Sequence, residues 1–121
     1  MKDINISVRG VCKRELRIDE VDLCTIFSNL IQNAAEELKG KKEDYFALEI
    51  EQGQDNTRIT IRNSTDLLLA KDNQELTSSK QDKKNHGIGL KNVKQIVEKY
   101  NGDISWSADG KEFRVIVTMK I

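Results

Sequence analysis

Three side chains, Asn29, Asn33 and Glu36, recur at spacings of four and three residues. On a helix, at about 100° per residue, they lie within roughly 60° of one another. Such an oxygen-rich stripe can ligate a hard divalent cation, especially Mg²⁺ shared with phosphates, or it can simply be a solvated helix face. A second candidate is the run His86-Gly87-Ile88-Gly89-Leu90. Two glycines at the entry to a helix let the backbone approach an anion, and free N–H groups at a helix start attract phosphate. A structural turn explains the same residues equally well. The run is no P-loop, since Gly-x-x-x-x-Gly-Lys-[Ser/Thr] is absent. It also lacks the buried strand that precedes a Rossmann turn. Asn63 ends a strand-like stretch, where its amide could meet the edge of a base or could open a turn with Ser64 and Thr65. Lys71, Lys80, Lys83 and Lys84 punctuate a long polar stretch that could close over a nucleotide or remain a solvated loop.

The elements that position these groups follow from periodicity. Ile4 to Val8 alternate apolar and polar as a short strand, and a second extended piece lies near Leu16 to Ile18. Asp19 is an N-cap, with Asp22 three residues on forming an approximate capping box. The spacing predicts a helix from there to about Lys39, closed by Gly40, with Cys24, Phe27, Ile31, Ala34 and Leu38 on the buried face. The Asn29, Asn33 and Glu36 stripe then lies opposite. Phe46, Leu48 and Ile50 pair with Ile59 and Ile61 in a hairpin turned at Gly53-Gln54-Asp55-Asn56. A loop covers Lys71 to Asn85, and residues 86 to 90 open a second helix that buries Leu90, Val93, Val97 and Tyr100 and ends at Asn101-Gly102. Ile104 and Trp106, a turn at Asp109-Gly110, and Phe113, Val115, Val117 and Met119 make the closing hairpin. The fold class is α+β, one domain over 1–121, with a mixed, mostly antiparallel sheet covered on one face by helices.

Composition narrows the function. Leu, Ile, Val and Phe supply 33 of 121 residues, enough for a real core. Twenty basic residues balance twenty acidic ones, which speaks against broad nucleic-acid binding or membrane contact. No apolar run reaches transmembrane length and no signal peptide opens the chain. Two isolated cysteines, Cys12 and Cys24, make neither a zinc site nor a disulfide framework, and the expected location is the cytoplasm.

Taken in order, the Asn-bearing helix, the strand ending in Asn63, the long polar loop, the Gly-x-Gly helix start and the closing hairpin resemble the GHKL ATPase superfamily, whose two-layer α/β sandwich is the Bergerat fold. Asn29-Leu30-Ile31-Gln32-Asn33-Ala34-Ala35-Glu36 resembles the N box of the quorum-sensing-type receptor histidine kinases. Thr77-Ser78-Ser79-Lys80, then Asn85 through Val93, is similar to their lid and second glycine box. Tyr100-Asn101-Gly102 before a strand matches the usual sequel, and the likeness runs from about Asp19 onward. It implies that Asn33 ligates Mg²⁺ bridging the ATP phosphates, with Asn29 lining the same pocket one turn earlier. Gly87 and Gly89, within His86 to Leu90, would hinge the lid and bring backbone N–H groups to the phosphates. Ile88 and Leu90 belong to that box, and Lys80 would contact the nucleotide from the lid.

Two departures matter. Asn63 stands where most of the superfamily has the adenine-reading Asp, and Thr65 replaces the first glycine of that box; an Asn carbonyl can still accept the adenine amino hydrogen bond. Asn29 stands where hydrolysing branches carry a Glu that activates water, and an amide cannot act as a general base. The implied function is therefore the catalytic ATP-binding domain of a two-component sensor histidine kinase, with ATP and Mg²⁺ as cofactors and no catalytic residue of its own. The implied partners are the dimerisation and phosphoacceptor domain of the same kinase and, indirectly, a response regulator. The implied setting is the cytosolic part of a bacterial, membrane-anchored receptor. The alternatives are a free-standing regulator such as an anti-sigma-factor-like serine kinase, or a degenerate domain that binds partners without nucleotide. With His86 as its only histidine, this piece is expected not to phosphorylate itself.

Overall fold

Alternating apolar and polar residues build a five-stranded sheet, and two amphipathic helices cover one of its faces. The computed structural model describes residues 5–11, 17–37, 44–73 and 83–120, with side chains described at all of these except 5–9, 11, 37 and 83–88. In chain order the elements are β1 (Asn5–Val11), α1 (Glu20–Glu37), β2 (Tyr45–Gln52), β3 (Thr57–Ser64), α2 (Lys83–Lys99), β4 (Asp103–Ala108) and β5 (Glu112–Met119). The spatial order is β1-β2-β3-β5-β4, with β1 parallel to β2 and every other pair antiparallel. This is the two-layer α/β sandwich expected from the sequence.

Strand alternation sorts the two faces. Ile59, Ile61, Phe113, Val115, Val117 and Met119 are buried towards the helices, together with Leu48, Ile104 and Ala108. Ile26, Leu30 and Ala34 of α1 and Leu90, Val93 and Val97 of α2 meet them in one core. The opposite sheet face is charged and tied by ion pairs. Arg62 reaches Glu49 at 3.3 Å and Glu112 at 3.6 Å, and Arg114 reaches Glu112 at 2.8 Å. The Tyr45 hydroxyl donates to Glu112 at 2.7 Å; burial, and then that bond, push its phenol from 10.0 up to about 12.

Local chemistry fixes the turns. Gly53 N–H donates to the Asn56 carbonyl at 2.8 Å and closes the β2–β3 hairpin where the sequence placed it. In the β4–β5 turn, Asp109 Oδ1 accepts the N–H groups of Lys111 and Glu112 at 2.9 and 2.8 Å. Those bonds hold the Asp109 carboxyl below the usual carboxylate range. Helix α2 ends in a Schellman motif: Asn101 takes the left-handed conformation at φ 54°, and Gly102 N–H donates to the Val97 carbonyl at 2.8 Å. Gly102 is obligatory, because a Cβ there would overlap the Thr118 carbonyl oxygen.

Four expectations need correction. Strand β1 continues to Val11, because parallel pairing with β2 persists from Asn5 beside Tyr45 to Val11 beside Glu51. Arg17 and Ile18 form no strand, and Leu16, like Ile4, lies outside the described residues. Helix α1 is rotated by about a quarter turn from the predicted face. It buries Ile26, Leu30, Asn33 and Ala34 while Cys24 and Ile31 are exposed. Apolar residues occupy two sides of this helix, and the sheet takes the side with the longer aliphatic chains, Ile26 and Leu30. The predicted end at Leu38 to Gly40 lies outside the described residues. Finally, α2 opens at Lys83, ahead of the glycine run. Lys83, Lys84 and Asn85 contain no helix breaker, so intrahelical hydrogen bonds outweigh the cost of about 1 kcal/mol for each helical glycine. Lys83 to Asn85 of the predicted loop are thus helical, and residues 74–82 lie outside the described residues. Its beginning is pinned to β4, since Asn73 N–H donates to the Trp106 carbonyl at 2.8 Å and Asn73 Oδ1 accepts from Trp106 N–H at 2.7 Å.

Candidate functional site

The quarter-turn rotation of α1 changes where its polar stripe lies. Asn33 is part of the buried face, only 3 % exposed, and its carbonyl Oδ1 has no hydrogen-bond partner. Asn29 and Glu36 lie at the edge of that face. Asn29 Nδ2 donates to the Thr25 carbonyl at 2.9 Å, fixing the amide so that its oxygen turns outward from the helix. That oxygen faces α2: a Cβ added to Gly89 would sit 3.5 Å from Asn29 Oδ1. Glu36 accepts from Gln32 Nε2 at 3.3 Å.

The two helices run antiparallel. Asp22 at the start of α1 meets Lys99 at the end of α2, whereas Asn29 meets Gly89. One further turn of α1 reaches Asn33, and one turn back along α2 reaches Asn85, each about 6 Å along the helix axis. The buried amide of Asn33 is therefore level with the first turn of α2. The first four N–H groups of any helix lack intrahelical acceptors, and the macrodipole makes that end positive. A buried oxygen acceptor beside a positive helix end can hold a hard cation together with an anion. An unpartnered, neutral carbonyl oxygen at this depth fits Mg²⁺, which takes oxygen ligands and keeps several from water or phosphate. Among the described residues no group of three or more His, Cys, Asp or Glu side chains could hold a metal alone.

Asn63 lies within β3, not in a turn. It is 1 % exposed on the helix-covered face, following Ile59 and Ile61, and its Nδ2 donates to the Ser64 carbonyl at 2.9 Å. That bond leaves the amide oxygen as the group to present to a ligand. The turn begins at Thr65, whose Oγ1 accepts from Leu67 N–H at 2.9 Å. Leu90 is a core residue at 1 % exposure. His86, Gly87 and Ile88 sit in the first turns of α2, with side chains outside the described residues, and Lys80 lies outside them altogether. The structure thus brings together Asn29, Asn33 and Gly89 across the helix pair, with Asn63 on the sheet face below α1.

Sequence reasoning missed two polar clusters. Asp44, 2 % exposed, accepts from Ser64 Oγ at 3.0 Å, and the same hydroxyl accepts Tyr45 N–H at 3.2 Å, locking the strand end that bears Asn63. An acid directly before an apolar strand was the available signal. At the far end of the helix pair, Asp22 accepts from Lys99 Nζ at 2.7 Å and from the Tyr100 hydroxyl at 2.6 Å. Those two bonds lower the Asp22 carboxyl and raise Lys99 and Tyr100. Asp19 caps α1 as expected, its Oδ1 accepting Val21 N–H at 2.8 Å. Its own N–H goes to the Tyr100 hydroxyl at 3.1 Å, so Tyr100 takes the part predicted for Asp22 in a capping box. A cavity of about 340 Å³ lined by Lys71, Asp109, Glu112 and Arg114 opens on the charged sheet face, across the sheet from Asn63.

With this geometry in place, comparison with known proteins is informative. The GHKL domain family model matches residues 18–120. No curated protein matches the chain. Among solved structures, the catalytic domain of histidine kinase ThkA superimposes with a TM-score of 0.76 at 16 % identity, over 97 % of this chain and 78 % of that one. The mycobacterial sensor histidine kinase MprB gives 0.75 at 17 % identity, over 96 % of this chain and 80 % of that one. Full-length ShkA, solved in complex with AMPPNP, gives 0.73 at 15 % identity, over 97 % of this chain but 25 % of its own length. At these identities the structures establish a shared fold, and the family match over almost the whole chain establishes more: this protein belongs to the GHKL domain family.

Proposed function

We propose that the chain is the ATP-binding catalytic domain of a sensor histidine kinase of the quorum-sensing receptor type, holding Mg-ATP for transfer to a histidine on a separate dimerisation domain. The observation that carries this reading is the orphaned Oδ1 of Asn33, buried level with the N-terminus of α2. A buried carbonyl without a donor costs about 1–3 kcal/mol. A ligand that supplies the missing partner would account for it.

Asn33 would hold Mg²⁺ through Oδ1, and Asn29 would line the same pocket. Bound there, Mg²⁺ would neutralise phosphate charge. The free N–H groups of the first turn of α2, Lys83 to His86, would face the phosphates, with Gly87, Ile88 and Gly89 in the turn that follows and Lys80 approaching from the lid. Gly89, with no side chain between the helices, leaves the backbone open to close approach beside Asn29. Asn63 would accept the adenine amino hydrogen bond through Oδ1, its Nδ2 being occupied by Ser64. The position next to Gly89 on α1 is an amide, so nothing there can deprotonate water. That favours holding ATP for another acceptor over hydrolysis. The binding of AMPPNP by ShkA, whose fold this chain shares, supports a nucleotide in this cleft. The reading places the domain in the bacterial cytosol, upstream of a response regulator.

The test is transfer. Mixing the domain with a histidine-bearing dimerisation-helix fragment and γ-labelled ATP should put acid-labile label on the fragment and none on the isolated chain, whose only histidine is His86. Acid-stable label on a serine of a partner would move the protein to the serine-kinase branch. Failure of Mg-ATP to bind at all would reduce it to a partner-binding domain.

A further inference from the structure

What Asn63 can read depends on which way its amide is turned. A carboxylate has two acceptor oxygens and meets a base amino group either way up, whereas an amide has one acceptor and one donor. Asn63 Nδ2 donates to the Ser64 carbonyl at 2.9 Å. A carbonyl only accepts, so this bond commits the nitrogen and leaves Oδ1 as the reading atom.

The Ser64 carbonyl is available because the β2–β3 ladder is interrupted beside it. Gly53 N–H donates to the Asn56 carbonyl at 2.8 Å, and in an antiparallel ladder every second residue pair then exchanges such bonds. Counting in twos through Glu51 and Arg58, Glu49 and Thr60, and Ala47 and Arg62, the next such pair is Tyr45 and Ser64. The Tyr45 N–H would therefore go to the Ser64 carbonyl. It goes instead to Ser64 Oγ at 3.2 Å, and regular pairing stops one step earlier, at Phe46 and Asn63. The hydroxyl can accept there because its own hydrogen is donated to Asp44 Oδ1 at 3.0 Å.

We propose that Ser64, held by Asp44, is a positioning residue for base selection. Its hydroxyl takes the Tyr45 N–H and leaves its carbonyl to Asn63, so the pocket accepts a 6-amino purine nucleotide and rejects a 6-oxo one. A 6-oxo purine brings an acceptor where the amino group brings a donor, and two facing acceptors leave each other unpaired. Without the hydroxyl, the Tyr45 N–H returns to the residue-64 carbonyl as in an ordinary ladder. The Asn63 amide then loses its anchor, turns over, and meets the oxo group with Nδ2. This inference rests on the nucleotide reading above and names the residue that sets its base specificity.

The experiment is calorimetric titration of the whole chain with Mg-ATP and with Mg-ITP. Inosine carries a 6-oxo group and an N1–H where adenosine carries a 6-amino group and a bare N1. The natural chain should bind ATP at least about tenfold more tightly than ITP, because a base that leaves the reading atom unpaired is rejected. Ser64→Ala should shrink that ratio to within about threefold, strengthening ITP as well as weakening ATP. Ser64 is half-buried at a strand end, so this variant should melt close to the natural chain. Ser64→Thr keeps the hydroxyl and should keep the ratio. In the Asn63→Asp background, where both side-chain oxygens accept, Ser64→Ala should leave the ratio unchanged. Those two arms separate positioning from general damage, which lowers both affinities together. Equal binding of ATP and ITP by the natural chain, a ratio that Ser64→Ala does not alter, or its loss in Ser64→Thr overturns the proposal while the nucleotide reading stands. Failure of the natural chain to bind either nucleotide overturns both.

Discussion

The two ends of the α1–α2 pair are built to opposite rules. At the Asp22 end the described polar groups answer one another. Asp22 holds Lys99 and Tyr100, Tyr100 receives the Asp19 N–H, Asp19 caps Val21, and the Schellman motif closes α2. At the Asn33 end a buried carbonyl oxygen has no donor, and a glycine rather than a side chain faces Asn29. The same two helices are thus clamped at one end and left unsatisfied at the other. The contrast separates residues that hold the helices from residues that wait for something.

The largest effect should come from breaking the clamped end. Gly102→Ala forces a Cβ into the Thr118 carbonyl and should destabilise by about 3 kcal/mol or more, read as a shifted urea midpoint with unchanged m-value. Asn33→Leu should do the reverse at the open end. Replacing an unsatisfied buried amide by an apolar group of similar volume should stabilise the free protein by about 1 kcal/mol while removing Mg²⁺-dependent nucleotide binding. A fall in Tm on that substitution would show that the amide is structural.

Gly89→Ala is a gentler version of the same test. Its Cβ would meet Asn29 Oδ1 at 3.5 Å, an ordinary contact, so packing tolerates it. The helix should gain about 0.8 kcal/mol, and ATP affinity should drop in calorimetry if the bare backbone is what the ligand needs.

Smallest are the pH effects, which distinguish the helix clamp from the charged sheet face. The Asp22 carboxyl is lowered by the Lys99 and Tyr100 hydrogen bonds. Its contribution is present above the ordinary value of 3.8 and is lost as pH falls through the lower folded value. The Tyr45 phenol is raised instead. Its contribution is full below pH 10.0 and disappears as pH climbs through about 12. Urea midpoints followed across pH should lose their acid sensitivity in part with Asp22→Asn and their alkaline sensitivity in part with Tyr45→Phe.

What the residues disclosed in advance depended on how local the determining physics was. Both hairpins could be read because Gly53 to Asn56 and Asp109-Gly110 carry their turns within four residues, and β5 buries every second side chain as its alternation required. The end of α2 at Asn101-Gly102 was legible for the same reason. The rotation of α1 was not, because Ile26/Leu30 and Cys24/Ile31 are both acceptable apolar faces and only the sheet chooses between them. That error also hid the burial of Asn33. The choice of Asn29, Asn33, Asn63 and Gly89 came from the order of motifs along the chain, and their placement around one helix pair and the sheet beneath it is a tertiary fact. The Lys99–Asp22–Tyr100 cluster joins residues 77 and 78 positions apart, and no local pattern announces such a pair.

The most direct test is a pair of calorimetric titrations with ATP, with and without Mg²⁺, on the natural chain and on Asn33→Leu. The account predicts Mg²⁺-dependent binding by the natural chain. At ~1 mM ATP and a Kd of ~0.1 mM this adds about 1.4 kcal/mol to folding stability. It predicts no Mg²⁺-dependent binding by Asn33→Leu, in a protein that melts no lower than its parent. Equal Mg²⁺-dependent titration curves for the two proteins would contradict it.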